Sequence, residues 1–295
     1  MAKVACLTLD LEPDLRAPDG RVRLLEDDGK LEWLLALLKR EGVPLTCFTV
    51  MSMGERYRER LQALAREADI EFAVHSFSHD RTQPASDYEV ERSWDAFGEL
   101  FDAPPRGYRS PNCLIDHAGL ARLTRRGFHY DSSIVPSVRF DEYGYNNLSY
   151  GRAPFRFQFD AGSIVEFPIA CLAAIRLPLV FSYAKLFGVA TYRLATAILP
   201  LPDVAVTFFH PYDLYAGEIA ENIPGWKRYA HLRNAGRAPL LLERLIAMFK
   251  WQGYRFAKMS DLVPEFQRDS SLSVIHIPEM TGAARRCAGE TVAPG

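Results

Sequence analysis

An alternation of period runs through this chain and sets narrow limits on its architecture. Short runs rich in Val, Ile, Phe and Thr are each followed by longer runs in which Leu and Ala recur at helical spacing. The strands expected on this basis are 3–9, 44–50, 70–75, 129–133, 163–168 and 204–209, with a short one near 255–258. The expected helices are 30–42, 55–68, 86–101, 117–127 and 238–252. Gly42, Gly127 and Gly253 stand where helices give way to strands, which is a helix C-terminal signal. Such a succession implies an α/β fold with mostly parallel strands.

No linker, compositional break or internal repeat divides residues 1–265, so that span is expected to be one domain. Its length suits a barrel better than a small open sheet. Residues 266–295 lose periodicity and collect Ser, Gly, Pro, Ala and charge, as a loosely attached, poorly ordered tail would, although 274–277 can add a short edge strand. With 48% apolar and 24% charged residues the composition is ordinary, which excludes disorder, collagen and coiled coil. The formal charge is −2 and no basic block occurs, so a nucleic-acid partner is not indicated.

Cys6, Cys47, Cys113, Cys171 and Cys287 are odd in number and widely spaced, which gives neither a disulfide framework nor a thiolate metal site. Asp10 arrives too early for a secretory signal, and a cytoplasmic location is the expectation. The apolar segment 167–201 is broken by Arg176, Pro178, Lys185 and Arg193, so it is not read as a membrane span. It is expected to be a buried helix or pocket wall; the alternative is an exposed patch for a lipid-bearing substrate, a membrane surface or a dimer contact. The oligomeric state is not legible in the sequence.

Polar groups gather at or just after the carboxyl ends of the expected strands: Asp10 with Glu12, His75 with His79, Asp131, and His210. In parallel α/β folds the loops at that end converge on one mouth, where substrates bind. Taken singly, each has a plain structural reading. His75 and His79 are spaced to share one cation if their loop turns as a helix would, or they are surface histidines. Asp10-Leu11-Glu12-Pro13-Asp14 can supply a third ligand, or be a solvated turn closed by Pro13. Arg109-Ser110-Pro111-Asn112 can hold a carboxylate and aim the Asn112 N–H, or be a surface turn. Asp131-Ser132-Ser133 can cap the chain that follows, and His210 can be a core histidine bonded to a carbonyl.

In this order the pieces resemble the polysaccharide deacetylase family, of carbohydrate esterase type with chitooligosaccharide deacetylase homology. Its five recurring motifs find counterparts in Thr8-Leu9-Asp10-Leu11-Glu12, His75-Ser76-Phe77-Ser78-His79, Arg109-Ser110-Pro111-Asn112, Tyr130-Asp131-Ser132-Ser133 and Phe208-Phe209-His210. The similarity spans roughly residues 4–263 and includes Gly107-Tyr108-Arg109-Ser110-Pro111, Glu166-Phe167-Pro168 and Gly253-Tyr254-Arg255-Phe256. Leu11 fills the place of the second of two adjacent aspartates in the commonest form. The chain is therefore more similar to the branch with an Asp-x-Glu first motif and a His-Pro-Tyr fifth motif.

The resemblance implies a distorted (β/α) barrel with about seven parallel strands. It also implies a divalent metal, commonly zinc, held by Glu12, His75 and His79, with Asp14 as the reserve ligand. Asp10 would be the general base, fixed by Arg109, and His210, held by Asp131, the general acid. The Asn112 N–H would steady the oxyanion. The implied reaction removes an N-acetyl group from an amino sugar in a saccharide, glycolipid or biosynthetic precursor. Cyclic amide or ureide hydrolysis on the same fold, or a catalytically silent sugar-binding domain, are the competing readings.

Overall fold

The computed structural model describes residues 2–278, apart from Pro18 and Pro224. Its strands are β1 (Val4–Leu11), β2 (Leu45–Thr49), β3 (Ile70–Val74), β4 (Gly107–Tyr108), β5 (Tyr130–Asp131), β6 (Val138–Arg139), β7 (Tyr145–Asn146), β8 (Phe155–Phe159), β9 (Gly162–Glu166), β10 (Val204–Phe209), β11 (Arg255–Phe256) and β12 (Val274–His276). Its helices are α1 (Arg23–Glu26), α2 (Asp28–Glu41), α3 (Arg58–Glu67), α4 (Asp87–Phe101), α5 (His117–Arg126), α6 (Phe181–Phe187), α7 (Val189–Ile198), α8 (Gly225–Leu232), α9 (Ala238–Trp251) and α10 (Met259–Arg268).

Seven strands run parallel in the order β10-β1-β2-β3-β4-β5-β9. Beyond β9, Ile169 makes a parallel bridge to Val206 of β10, and the Ala170 N–H donates to the Val206 carbonyl at 2.8 Å. The two ends of the parallel path therefore meet. β8 joins β9 antiparallel and β12 adds to β8, so both lie outside this ring. The strand expected at 274–277 thus forms, whereas β4 and β8 were not among the expected strands. β4 is too short to show a period, but Phe155-Arg156-Phe157-Gln158-Phe159 does alternate buried aromatics with half-buried polar residues.

The period of two in β1 divides the core. Ala5, Leu7, Leu9 and Leu11 pack with helix residues such as Leu34 and Leu37, while Val4 and Cys6 join Phe48, Tyr130, Val165 and Val206 in a separate inner cluster. α10 adds Met259, Leu262, Val263 and Phe266 to that inner cluster, and its first N–H groups are received by Thr46 Oγ1 (3.1 Å, from Met259) and Glu71 Oε2 (3.0 Å, from Ser260). Both acceptors lie on β2 and β3 far from their carboxyl ends, so α10 plugs the amino end of the ring.

α2 and α5 stop at Gly42 (φ 59°) and Gly127 (φ 107°), left-handed positions at which a side chain would be strained. The apolar segment 167–201 is partly buried and partly exposed. Phe167, Ile169, Phe181 and Tyr192 are buried, whereas Leu194 and Ile198 are 74% and 82% exposed. No helix among the described residues is long and apolar enough to cross a membrane.

α10 runs across the expected boundary at residue 265, and 266–278 continue through its last turn into β12. The rest of the expected tail, 279–295, lies outside the described residues, as does Cys287. Cys6, Cys47, Cys113 and Cys171 are free and buried, and burial pushes Cys47, Cys113 and Cys171 up to about 12. Among the described residues no disulfide forms, and burial of this kind disfavours the reactive thiolate.

Candidate active site

At its carboxyl end the inner face of the ring turns polar. The face of β1 that carries Val4 and Cys6 continues through Thr8 and Asp10, and the same spacing reaches Glu12 just beyond the strand. Leu11 goes to the outer core, which is why an Asp-x-Glu spacing delivers both acids to one mouth. His75 follows β3, Arg109 follows β4 and His210 follows β10.

Glu12, His75 and His79 offer ligand atoms that all lie within 4.8 Å of one another. His75 Nδ1 donates to the Arg109 carbonyl (2.8 Å), which turns Nε2 toward Glu12, 3.7 Å from Oε2. His79 Nε2 is in contact with the same Glu12 oxygen, yet it is buried without a hydrogen-bond partner. A buried nitrogen with no proton-sharing partner, beside a carboxylate and a second lone pair, is what a cation site looks like in its donors alone. Burial raises the Glu12 pKa, but the two histidines beside it, His79 foremost, outweigh this and hold Glu12 well below the usual carboxylate range. The residues therefore fit a divalent metal with open positions. The reserve ligand Asp14 is engaged elsewhere, accepting from Tyr215 Oη (2.6 Å) and the Arg23 N–H (3.3 Å).

The histidine loop is not helical, contrary to the geometry its spacing had suggested. Ser76 and His79 take left-handed φ of 61° and 62°, and Glu89 of α4 holds the turn. Glu89 Oε2 accepts from the Phe77 and Ser78 N–H groups (2.8 Å each), Oε1 accepts from Ser78 Oγ (2.5 Å), and Ser76 Oγ accepts from the His79 N–H (3.1 Å). Sequence reasoning passed over Glu89, although Ser86 three residues before it is a visible helix-start signal.

Arg109 is fully buried and fans its donors over one corner of the mouth. Nη1 donates to Asp10 Oδ1 and Thr8 Oγ1 (2.6 Å each), Nε to the Ser132 carbonyl (3.0 Å) and Nη2 to Ser132 Oγ (2.8 Å). Its guanidinium lies 4.1 Å from the centre of the Phe48 ring. Asn112 sits in a tight turn with φ 56° and ψ 14°, and its Nδ2 is buried without a hydrogen-bond partner.

Asp131 does not hold His210. It folds back on its own turn, receiving Ser133 Oγ (2.8 Å) and the Ser133 N–H (3.1 Å), which is the capping role its motif also allowed. In register with it across the sheet lies Glu166, whose Oε1 accepts from the Ile134 N–H (2.9 Å). Burial raises the pKa of both acids, and repulsion from Asp131 lifts Glu166 well above the usual range.

The residue on His210 is Asp213, three positions on, with Oδ2 receiving the His210 N–H (3.0 Å) and lying 3.2 Å from Nδ1. Nε2 then faces Glu12 Oε1 at 3.9 Å, and the ring stacks on Tyr212 with centroids 4.8 Å apart. Tyr212 Oη donates to Glu12 Oε1 (2.8 Å). Burial alone lowers the His210 pKa; the Asp213 hydrogen bond and the charges of Glu12, Asp213 and Asp10 reverse this and raise it to about 9. An imidazole braced by a carboxylate and a buried aspartate clamped by an arginine thus lie beside one candidate cation site.

Comparison with known proteins agrees with this fold. The polysaccharide deacetylase model matches residues 5–130, and a domain of unknown function (DUF3473) matches 132–261. The polysaccharide deacetylase match thus covers the amino-terminal part of the chain, which carries Asp10, Glu12, His75, His79 and Arg109. No curated protein matches it. Similar solved structures include a protein from Mycobacterium smegmatis described as a polysaccharide deacetylase, 18% identical, with a TM-score of 0.57 over 95% of this chain and 96% of that one. The CE4 domain of a multidomain xylanase from the hindgut metagenome of Trinervitermes trinervoides is 13% identical, with a TM-score of 0.50 over 93% and 97%. A CE4 family pseudoenzyme from Bacillus anthracis is 12% identical, with a TM-score of 0.53 over 94% and 70%. At these identities the likeness is one of fold.

Proposed function

We propose that this chain is a metal-dependent N-deacetylase that releases acetate from an N-acetylated amino sugar in a saccharide, glycolipid or biosynthetic precursor. The observation that carries this is the convergence of Asp10, clamped by Arg109, and His210, braced by a carboxylate, on the Glu12, His75 and His79 cluster. Two imidazoles and one carboxylate suit zinc, and a divalent ion held there would polarise the amide carbonyl and acidify the attacking water.

Asp10 accepts the proton of the water that adds to the carbonyl carbon, with Arg109 holding its carboxylate in place. The Asn112 N–H steadies the oxyanion. His210 donates its Nε2 proton to the amide nitrogen as the C–N bond breaks, which yields acetate and a free amine. A silent binding domain would need neither the base nor the acid, so their joint presence favours an enzyme.

Metal analysis and an acetate-release assay on N-acetylated sugar oligomers test the reading. About one equivalent of divalent metal is expected, with activity lost on chelation and restored by zinc. His75→Ala should lose both metal and turnover, and Asp10→Asn turnover alone. Full hydrolysis in chelator, or a metal-loaded protein that releases no acetate, would overturn it.

A further inference from the structure

A buried ion pair joins α6 to the loop after β10, and the catalytic scheme above leaves its lysine out. Lys185 of α6 and Asp213 are both fully buried, with Lys185 Nζ 2.9 Å from Asp213 Oδ1. Nζ also donates to the Asp213 carbonyl (3.0 Å). The ammonium therefore grips the aspartate by backbone and side chain together. Lys185 is itself pinned, since Asn234 Nδ2 donates to its carbonyl at 2.7 Å.

We propose that Asp213, anchored by Lys185, is the positioning residue that holds His210 in its proton-donating orientation. Asp131 is unavailable for this work because its carboxylate is committed to Ser133 and faces Glu166. One Asp213 oxygen serves Lys185, and the other serves both the backbone N–H and Nδ1 of His210. A carboxylate on Nδ1 fixes the tautomer and turns Nε2 outward, while Tyr212 blocks rotation by stacking on the ring. A buried aspartate facing a histidine alone would tend to take up the proton itself. The Lys185 charge prevents this: burial raises the Asp213 pKa, but Lys185 and then His210 pull it far below the carboxylate range. Because Lys185 lies on α6, the apolar segment 167–201 supplies part of the support for the site.

The proposal rests on the deacetylase reading for what His210 does, and on geometry alone for how His210 is held. Two measurements separate these. In proton–nitrogen spectra of the histidine rings, the His210 Nδ1–H signal, assigned by its loss in His210→Ala, should vanish or move upfield in Asp213→Asn and persist in Asp131→Asn. Its persistence in Asp213→Asn, or its loss in Asp131→Asn, would refute the assignment.

In acetate-release kinetics, Asp213→Asn should lower kcat roughly 100-fold with KM and bound metal unchanged. In a His210→Ala background the same change should cost nothing further. An equal loss in both backgrounds would mean a purely structural role. The double variant Lys185→Met with Asp213→Asn strands no buried charge, so it should recover thermal stability without recovering kcat; recovery of both would sink the proposal. If the wild-type chain releases no acetate while the ring signal behaves as described, the deacetylase reading falls and the bracing of His210 stands.

Discussion

Arg109 is a cation with no access to water, and its donors are distributed over Thr8, Asp10 and Ser132. Burying a charge is costly unless it is paired and hydrogen-bonded, and here one guanidinium meets that demand for itself and for Asp10 at once. Arg109→Met should leave Asp10 buried and unpaired and destabilise the fold by about 3–5 kcal/mol, measured by denaturant unfolding. Arg109→Lys keeps the charge but not the fork, and should retain more stability than activity. A wild-type unfolding midpoint for Arg109→Met would show that Asp10 does not depend on this contact. At this scale the residue types were legible and one partnership was not. Asp131 and Asp213 are both acids near a strand end, and nothing in their local sequence says which of them meets His210.

The elements around the mouth depend on acids that stabilise turns without touching the chemistry. Glu89 fastens the loop that carries both histidines through three hydrogen bonds, two of them to backbone N–H groups. Glu89→Ala should weaken metal affinity by about 10–100-fold while the helix it starts survives, as read by metal titration and circular dichroism. Unchanged affinity would mean that Ser76 and the neighbouring strands suffice to shape the loop.

Asp131 of β5 and Glu166 of β9 face each other as two buried acids whose pKa values are both raised, and this makes the ring sensitive to alkali. Glu166 has its pKa raised in the folded chain, so above the ordinary Glu value of 4.5 the folded chain binds a proton that the unfolded chain has lost. Stability from this pair is full at acid pH and falls as pH rises. Glu166→Gln has no proton to lose, and its melting temperature should gain on the wild type as pH rises above that ordinary value. Melting temperatures that stay parallel as pH rises would show that Glu166 holds no such proton. Pairing of this kind follows from the β5–β9 register, which two short segments far apart in sequence do not announce.

For the whole molecule, the ring is closed at one side by a single bridge and filled at its amino end by α10. Phe266 meets Phe167 edge to face with ring centres 5.5 Å apart, and so ties the plug to the stretch just beyond β9. Phe266→Ala should cost about 3–5 kcal/mol in unfolding free energy, because the closed ring cannot collapse into the cavity. A loss below about 1 kcal/mol would mean that α10 packs only loosely.

The alternation of strand and helix, the glycine stops, and the placing of Asp10, Glu12, His75, His79, Arg109 and His210 at strand ends were determined by the sequence alone, since all of these follow from local period and backbone preference. The tertiary structure decided the rest: that Glu12 rather than Asp14 meets the histidines, that Asp213 rather than Asp131 meets His210, and that Glu89 and Lys185 support them from distant helices. Buried polar groups must find partners, and which partner is near is settled only when strands far apart in the chain come into register.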